Sequence, residues 1–182
     1  LQWLVGDLVE VCARAVINVP ERRWPDGSPA QPDGEDTAAM VGVLDNGAPV
    51  AFLASSVAHE VRSTFDVIVH FSQGSVTVGA ESHWPDRARG RLSVMRSGDD
   101  APRAVTVEEP EVPAEAGALA PQDAAYTAIA AELVAAIGEG RPAASGFDDG
   151  LRVQRVIDAA VDSAHRREWV RVDREAPVLA GS

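Results

Sequence analysis

No lysine occurs anywhere in the 182 residues; every one of the sixteen basic side chains is arginine. A Schiff base, or a P-loop contact to phosphate through an ammonium, is therefore excluded within this chain. Cysteine is nearly as scarce. Cys12 is alone, so no internal disulfide can form, and the chain fits a reducing cytoplasm. No apolar run approaches the roughly 20 residues that a membrane-crossing helix needs. The N-terminus lacks the basic, apolar, small-residue order of a signal peptide. Positive charge is in deficit too: the net charge is −12, which repels a phosphate backbone and argues against nucleic-acid binding.

What is present reads as an ordinary globular chain, 46% apolar and long enough to bury a core as one domain. It opens LQWLVGD, without Met. Leu1, Leu4 and Val5 share one helical face beside Trp3, and Gly6-Asp7 is a stop. These residues read as the last turns of a helix that starts upstream. Residues 7–19 are rich in β-branched side chains and read as a strand. Residues 20–36, dense in Pro, Gly and Asp, read as a mobile surface loop. Residues 36–58 form a hairpin around Asn46-Gly47, where a two-residue type I′ turn pairs Val43 with Val50 and Val41 with Phe52. A second hairpin turns at Gln73-Gly74. It places Phe65, Val67, Val69 and Phe71 on one face and Asp66, Ile68 and His70 on the other, with His70 opposite Thr77. Residues 90–98 and 103–109 add two strands, and residues 110–122 form a Pro/Ala/Glu connector.

Helical periodicity then takes over. Tyr126, Ile129, Ala130, Leu133, Val134 and Ile137 follow it until Gly138–Pro142 ends the helix. Ser145 and Asp148 have the spacing of a capping box. The helix after them turns Leu151, Val156, Ile157, Ala160, Val161 and Ala164 inward. Residues 169–173 close as a strand, and 174–182 are a tail. Hairpins followed by grouped helices predict an α+β fold, an open, mostly antiparallel β-sheet with helices packed on one face. No strand, glycine-rich loop and helix occur in succession, so the usual cradle for a dinucleotide is missing.

Few residues point to chemistry. His70 reads as a cross-strand partner, and His165 as a cation at the negative end of a helix. His59 and His83 lie at strand ends, where sites collect. No HxH, HExxH or paired-Cys spacing marks a metal site. Ser55 and Ser56 lack the G-x-S-x-G setting of an exposed nucleophile. Asp99-Asp100 and Asp148-Asp149 fit a turn and a helix start rather than a catalytic dyad.

Taken together, LQWLVGD, EDTAAMVGVLDNGAPVAFLASS (35–56), FDVIVHFSQGSVTV (65–78) and AELVAAIGEGRPAASGFDDGLRVQRVIDAAVDSAHRREWVRV (131–172) resemble the C-terminal domain of the Gfo/Idh/MocA family of NAD(P)-dependent oxidoreductases. The resemblance spans Leu1 to about Asp173. It implies a substrate-binding and oligomerisation domain, residues 1–173, that associates as a homo-oligomer through its sheet. It further implies that the whole enzyme acts on a sugar, cyclitol or related polyol with NAD or NADP. The nicotinamide-binding Rossmann domain and a catalytic His on the inter-domain helix would both precede Leu1. No catalytic, cofactor-binding or metal residue is then expected in this chain. The positions expected close to substrate are His59, Arg62 and Phe65, where an arginine could grip a hydroxyl or carboxylate. Two departures from the family pattern leave the substrate class open. Phe65-Asp66 stands where a Tyr-Asp is usual, and Phe71, Ser72 and Gln73 replace its Glu-x-x-Gly. The competing reading is a non-enzymatic, self-associating scaffold or ligand-binding domain.

Overall fold

The computed structural model describes residues 2–58, 63–82, 89–106, 121–144 and 146–173. Contacts divide the chain into two units, one built from residues 1–58 with 145–182, the other from 59–144.

In the first unit a short helix α1 (Gln2–Val5) leads into β1 (Leu8–Val16). Strand β1 lies between β4 (Thr37–Leu44) and β10 (Val170–Arg171), and β5 (Pro49–Ser55) extends the sheet to the order β10-β1-β4-β5, antiparallel throughout. Helix α3 (Phe147–Arg166) covers one face. A register shift between Leu8 and Glu10 puts Leu8 and Val11, three residues apart, on that face together with Leu44, the partner of Leu8, and there they close a core with Val156, Ala159 and Val172. The helix contributes a narrower stripe than its periodicity predicts. Val156, Ala159 and Ser163 are buried, whereas Leu151, Ile157 and Val161 are exposed. The reason is that small side chains bring α3 close to β1, so only the residues directly over the strand lose water.

Ser163 shows how tight that approach is. It is fully buried, and its Oγ accepts from the Ala13 N–H at 2.9 Å while donating to the Glu168 carbonyl at 2.5 Å. Strand β10 pairs with β1 only at Glu10 and Val11, so the Ala13 N–H lies beyond its reach. The serine satisfies a group that burial would otherwise leave unpaired.

The hairpin turn differs from expectation. Val43 pairs with Pro49, Gly42 with Val50 and Met40 with Phe52, one residue out of the predicted register. The Gly47 N–H donates to Leu44 O and the Leu44 N–H to Ala48 O. Of the two turn residues only Gly47 has positive φ, at 84°. This is a three-residue loop, a turn followed by a left-handed glycine and a bulge, rather than type I′, because Asn46 keeps negative φ and caps the Ala48 N–H with its own side chain. Residues 20–36, read as a mobile loop, instead contain a small hairpin: β2 (Arg22–Arg23) pairs with β3 (Pro29–Ala30). The cap of α3 sits at Gly146, whose N–H donates to Asp149 Oδ2 at 3.0 Å. That is one residue later than the predicted Ser145–Asp148 box, of which Ser145 lies outside the described residues.

The second unit holds the sheet β6-β7-β8-β9, formed by Ser63–Phe71, Gly74–Ser82, Arg89–Arg96 and Arg103–Val105. All its pairings are antiparallel. Its first hairpin turns at Ser72-Gln73, so His70 faces Ser75 and Ile68 faces Thr77. The register moves two residues from the predicted one, which keeps every side chain on its expected face. Gly74 takes φ 151° against β8, where a Cβ would come within 2.0 Å of the Met95 carbonyl oxygen. Only glycine fits that close approach. Helix α2 (Pro121–Glu139) ends where the sequence indicates. Gly140 is left-handed at φ 64°, the Gly140 N–H reaches Ile137 O, and the Arg141 N–H reaches Ala136 O, a complete Schellman cap. The connector read at residues 110–122 lies outside the described residues except at its last two positions, which open α2, and the tail 174–182 lies outside them altogether.

Candidate functional site

At one end of the first sheet the chain brings together the end of β1, the start of β4 and the end of β5, in the row Val16, Thr37, Ser55. Asp36 sits at this junction with its side chain almost wholly buried. Its carboxylate accepts from the Asn18 N–H at 2.9 Å, the Val19 N–H at 3.0 Å and Arg22 Nη2 at 3.1 Å. The Thr37 hydroxyl donates to it as well. Its backbone joins the same knot, the N–H to Val16 O and the carbonyl accepting from the Ser56 N–H. These donors, the Asn18 N–H foremost, hold the Asp36 carboxyl below its ordinary value against the opposing effect of burial. A carboxylate so fully donated to is an anchor and not a proton acceptor. Asp36 stands in the EDTAAMVG stretch that carries the family resemblance, but its role as an anchor was not read from the sequence.

The neighbouring hydroxyls are committed as well. Thr37 Oγ1 lies 3.0 Å from Ser55 Oγ and accepts from Asn18 Nδ2 at 2.8 Å. Ser56 Oγ donates to the Asp36 carbonyl. In these bonds both serines are tied to the ends of β4 and β5.

In the second unit, Asp66 on β6 forms an ion pair with Arg91 on β8. The two do not sit on adjacent strands: Gly79 of β7 lies between them in register. A Cβ at Gly79 would fall 2.3 Å from Asp66 Oδ1 and 2.7 Å from Arg91 Nε, so the missing side chain is what lets the pair close over the middle strand. Phe65 points to the opposite face, across from Ala80, and is 57% exposed. Of the three positions expected near substrate, Phe65 alone is described; His59 and Arg62 lie outside the described residues, as does His83. His165 stands in the last turn of α3, as its sequence position indicates.

Among the described residues no cluster of three or more His, Cys, Asp or Glu could hold a metal ion, and no helix is long and apolar enough to cross a membrane. The N-terminus of α3 is ill suited to a dinucleotide. Helix α3 begins with Asp148 and Asp149, and carboxylates in a first turn repel the diphosphate that a helix N-terminus would otherwise attract.

The described residues thus form an antiparallel α+β module with a buried carboxylate knot at one sheet end. Residues 1–172 match the model of the oxidoreductase family's C-terminal alpha/beta domain. The chain therefore belongs to the Gfo/Idh/MocA family as its C-terminal domain. No curated protein is significantly similar in sequence. Among solved structures, an oxidoreductase domain protein from Kribbella flavida is 26% identical with a TM-score of 0.73, over 95% of this chain and 47% of that one. A levoglucosan dehydrogenase in complex with NADH and levoglucosan is 25% identical with a TM-score of 0.73, over 96% and 47%. An aldose-aldose oxidoreductase from Caulobacter crescentus, complexed with glycerol, shares the fold at a TM-score of 0.64 and 21% identity, over 93% and 43%. The chain thus spans just under half the length of these proteins.

Proposed function

We propose that this chain is the substrate-binding and oligomerisation part of an NAD(P)-dependent oxidoreductase acting on a sugar, cyclitol or related polyol. The observation that carries the reading is the family match over residues 1–172, joined to a likeness that covers less than half of a sugar dehydrogenase bound to NADH. Cofactor and acid/base chemistry belong to the remainder of such an enzyme. This chain's part is to bind and orient the polyol and to hold the subunits together. Residues 1–173 act as one functional domain, with 174–182 as a tail, in a cytoplasmic protein.

His59, Arg62 and Phe65 are the proposed substrate-side residues. In sequence, His59 and Arg62 fall in the segment that follows β5, and Phe65 lies near the start of β6. A guanidinium there offers the paired donors that suit vicinal hydroxyls. Self-association is assigned to the face of the first sheet turned away from α3. That face carries Cys12, Val41, Val43 and Leu53 in register, with Leu53 74% and Val41 47% exposed. Exposed apolar side chains grouped in this way mark a contact surface.

The test is steady-state NAD(P)H formation by the full-length protein across a panel of sugars, cyclitols and acyclic polyols. Turnover of at least one, with Arg62→Ala raising KM roughly tenfold or more, supports the reading. Absence of turnover with every polyol, in a protein that binds NAD(P)H, would remove the substrate class.

A further inference from the structure

Asparagine occurs in this chain only at Asn18 and Asn46, and the structure treats the two in opposite ways. Asn46 and Gly47 form the exposed tip of the loop between β4 and β5. A Cβ built on Gly47 would meet nothing within 4 Å, so the peptide nitrogen that follows Asn46 is open to approach. The Asn46 carboxamide is held in place. Its Oδ1 accepts from the Ala48 N–H at 3.0 Å, a bond that closes a ring of atoms running through the Gly47 nitrogen. Asn18 differs at each point. Its successor is Val19, whose branched side chain crowds the peptide and whose N–H is bonded to Asp36 Oδ2 at 3.0 Å. The Asn18 carboxamide is turned elsewhere, with Nδ2 donating to Thr37 Oγ1 at 2.8 Å.

We infer that Asn46-Gly47 is a site of spontaneous covalent modification, where the folded turn leaves Asn46 open to loss of ammonia and conversion to an acid. The Gly47 nitrogen attacks Asn46 Cγ, and one C–N bond forms. The Cγ–Nδ2 bond breaks, and ammonia leaves with the proton that the Gly47 nitrogen gives up. The product is a five-membered succinimide. Water then opens this ring at either carbonyl: at the side-chain carbonyl to give aspartate, or at the main-chain carbonyl to give isoaspartate, whose chain runs through Cγ. No oxidant or reductant takes part. Negative charge develops on Oδ1 during the attack, and the Ala48 N–H already donates to that oxygen, as a donor of an oxyanion hole does. Glycine as successor adds no side chain to obstruct ring closure and leaves the backbone free to reach it. One bond opposes the step, the Gly47 N–H to Leu44 O at 2.9 Å, and at an exposed tip water replaces it. Isoaspartate lengthens the main chain by one carbon inside a loop closed by the Leu44 N–H to Ala48 O bond, next to the buried Leu44 side chain.

The experiment incubates the full-length protein in mildly alkaline buffer, once folded and once in urea, and follows the peptides that hold Asn18 and Asn46 by mass spectrometry. In the folded protein Asn46 should convert at least roughly tenfold faster than Asn18, and both aspartate and isoaspartate should appear at position 46. Asn46→Gln should stay intact over the same period, because glutamine has to close a larger ring. Three results overturn the proposal. The first is an Asn46 that lasts as long as Asn18 in the folded protein. The second is conversion of Asn46 in urea alone, which would show that the bonded turn shields the pair. The third is aspartate without isoaspartate, which would show direct attack by water and no ring.

Discussion

Ser163 stands on the buried stripe of α3, where alanine would satisfy the helical pattern, yet its hydroxyl bridges Ala13 N–H and Glu168 O. Ser163→Ala should destabilise the fold by about 1–3 kcal/mol, because both partners are left unpaired away from water; urea unfolding measures it. Gly42 is the reverse case, a position defined by what is missing. A Cβ there would lie 2.6 Å from Leu8 Cδ2 and 3.0 Å from the Glu10 carbonyl oxygen. Gly42→Ala should therefore cost about 1–3 kcal/mol through overpacking, and a loss of that size with unchanged secondary structure confirms the contact. Asp36 is tested locally. Asp36→Asn exchanges an acceptor-only group for one that is half donor, and amide exchange at Asn18 and Val19 should accelerate by roughly tenfold or more. Unchanged exchange at those two amides would mean that the knot does not hold residues 18 and 19.

Elements show which features the sequence could announce. The end of α2 was legible because Gly140 followed by Arg-Pro leaves a helix no other course. Its consequence was not: Arg141 folds back to grip Glu132 with both terminal nitrogens, at 2.8 and 2.9 Å, and Glu139 with Nε. Arg141, helped by the Ala144 N–H, holds the Glu132 carboxyl down to about 2 from its ordinary 4.5. A carboxylate whose pKa is lowered by folding contributes its full share above about pH 4.5 and loses it progressively as pH falls toward 2. Arg141→Ala should remove that acid-side slope, so thermal unfolding followed between those limits should be flatter in the variant. The hairpins were legible as hairpins and illegible in register. Asn46-Gly47 permits both a two-residue and a three-residue loop, and the choice depends on which residue takes positive φ. Only the packed β4–β5 pair decides that. In the candidate site, Phe65 and Asp66 could be assigned to opposite faces from alternation alone. The Asp66–Arg91 pair could not, since it depends on two registers meeting at Gly79.

At the scale of the whole molecule, the faces that stay open carry the account. Beneath α3 the first sheet closes a core with Val156, Ala159 and Val172, while Val41 and Leu53 on the other side remain in water. Leu53→Asp is expected to shift the full-length protein toward smaller assemblies without altering its fold, as sedimentation would record. The second sheet gathers Phe65 and Phe71 with Val67 and Val69 on one face, both phenylalanines more than half exposed. Exposed apolar side chains grouped on a sheet face are what a contact surface presents. The most direct measurement is a titration of this 182-residue chain with NADH and NADPH, followed by nicotinamide fluorescence and calorimetry. The account predicts no saturable binding of either, because the proposed function assigns the cofactor to residues outside this chain. Stoichiometric, micromolar binding by the chain alone would contradict it.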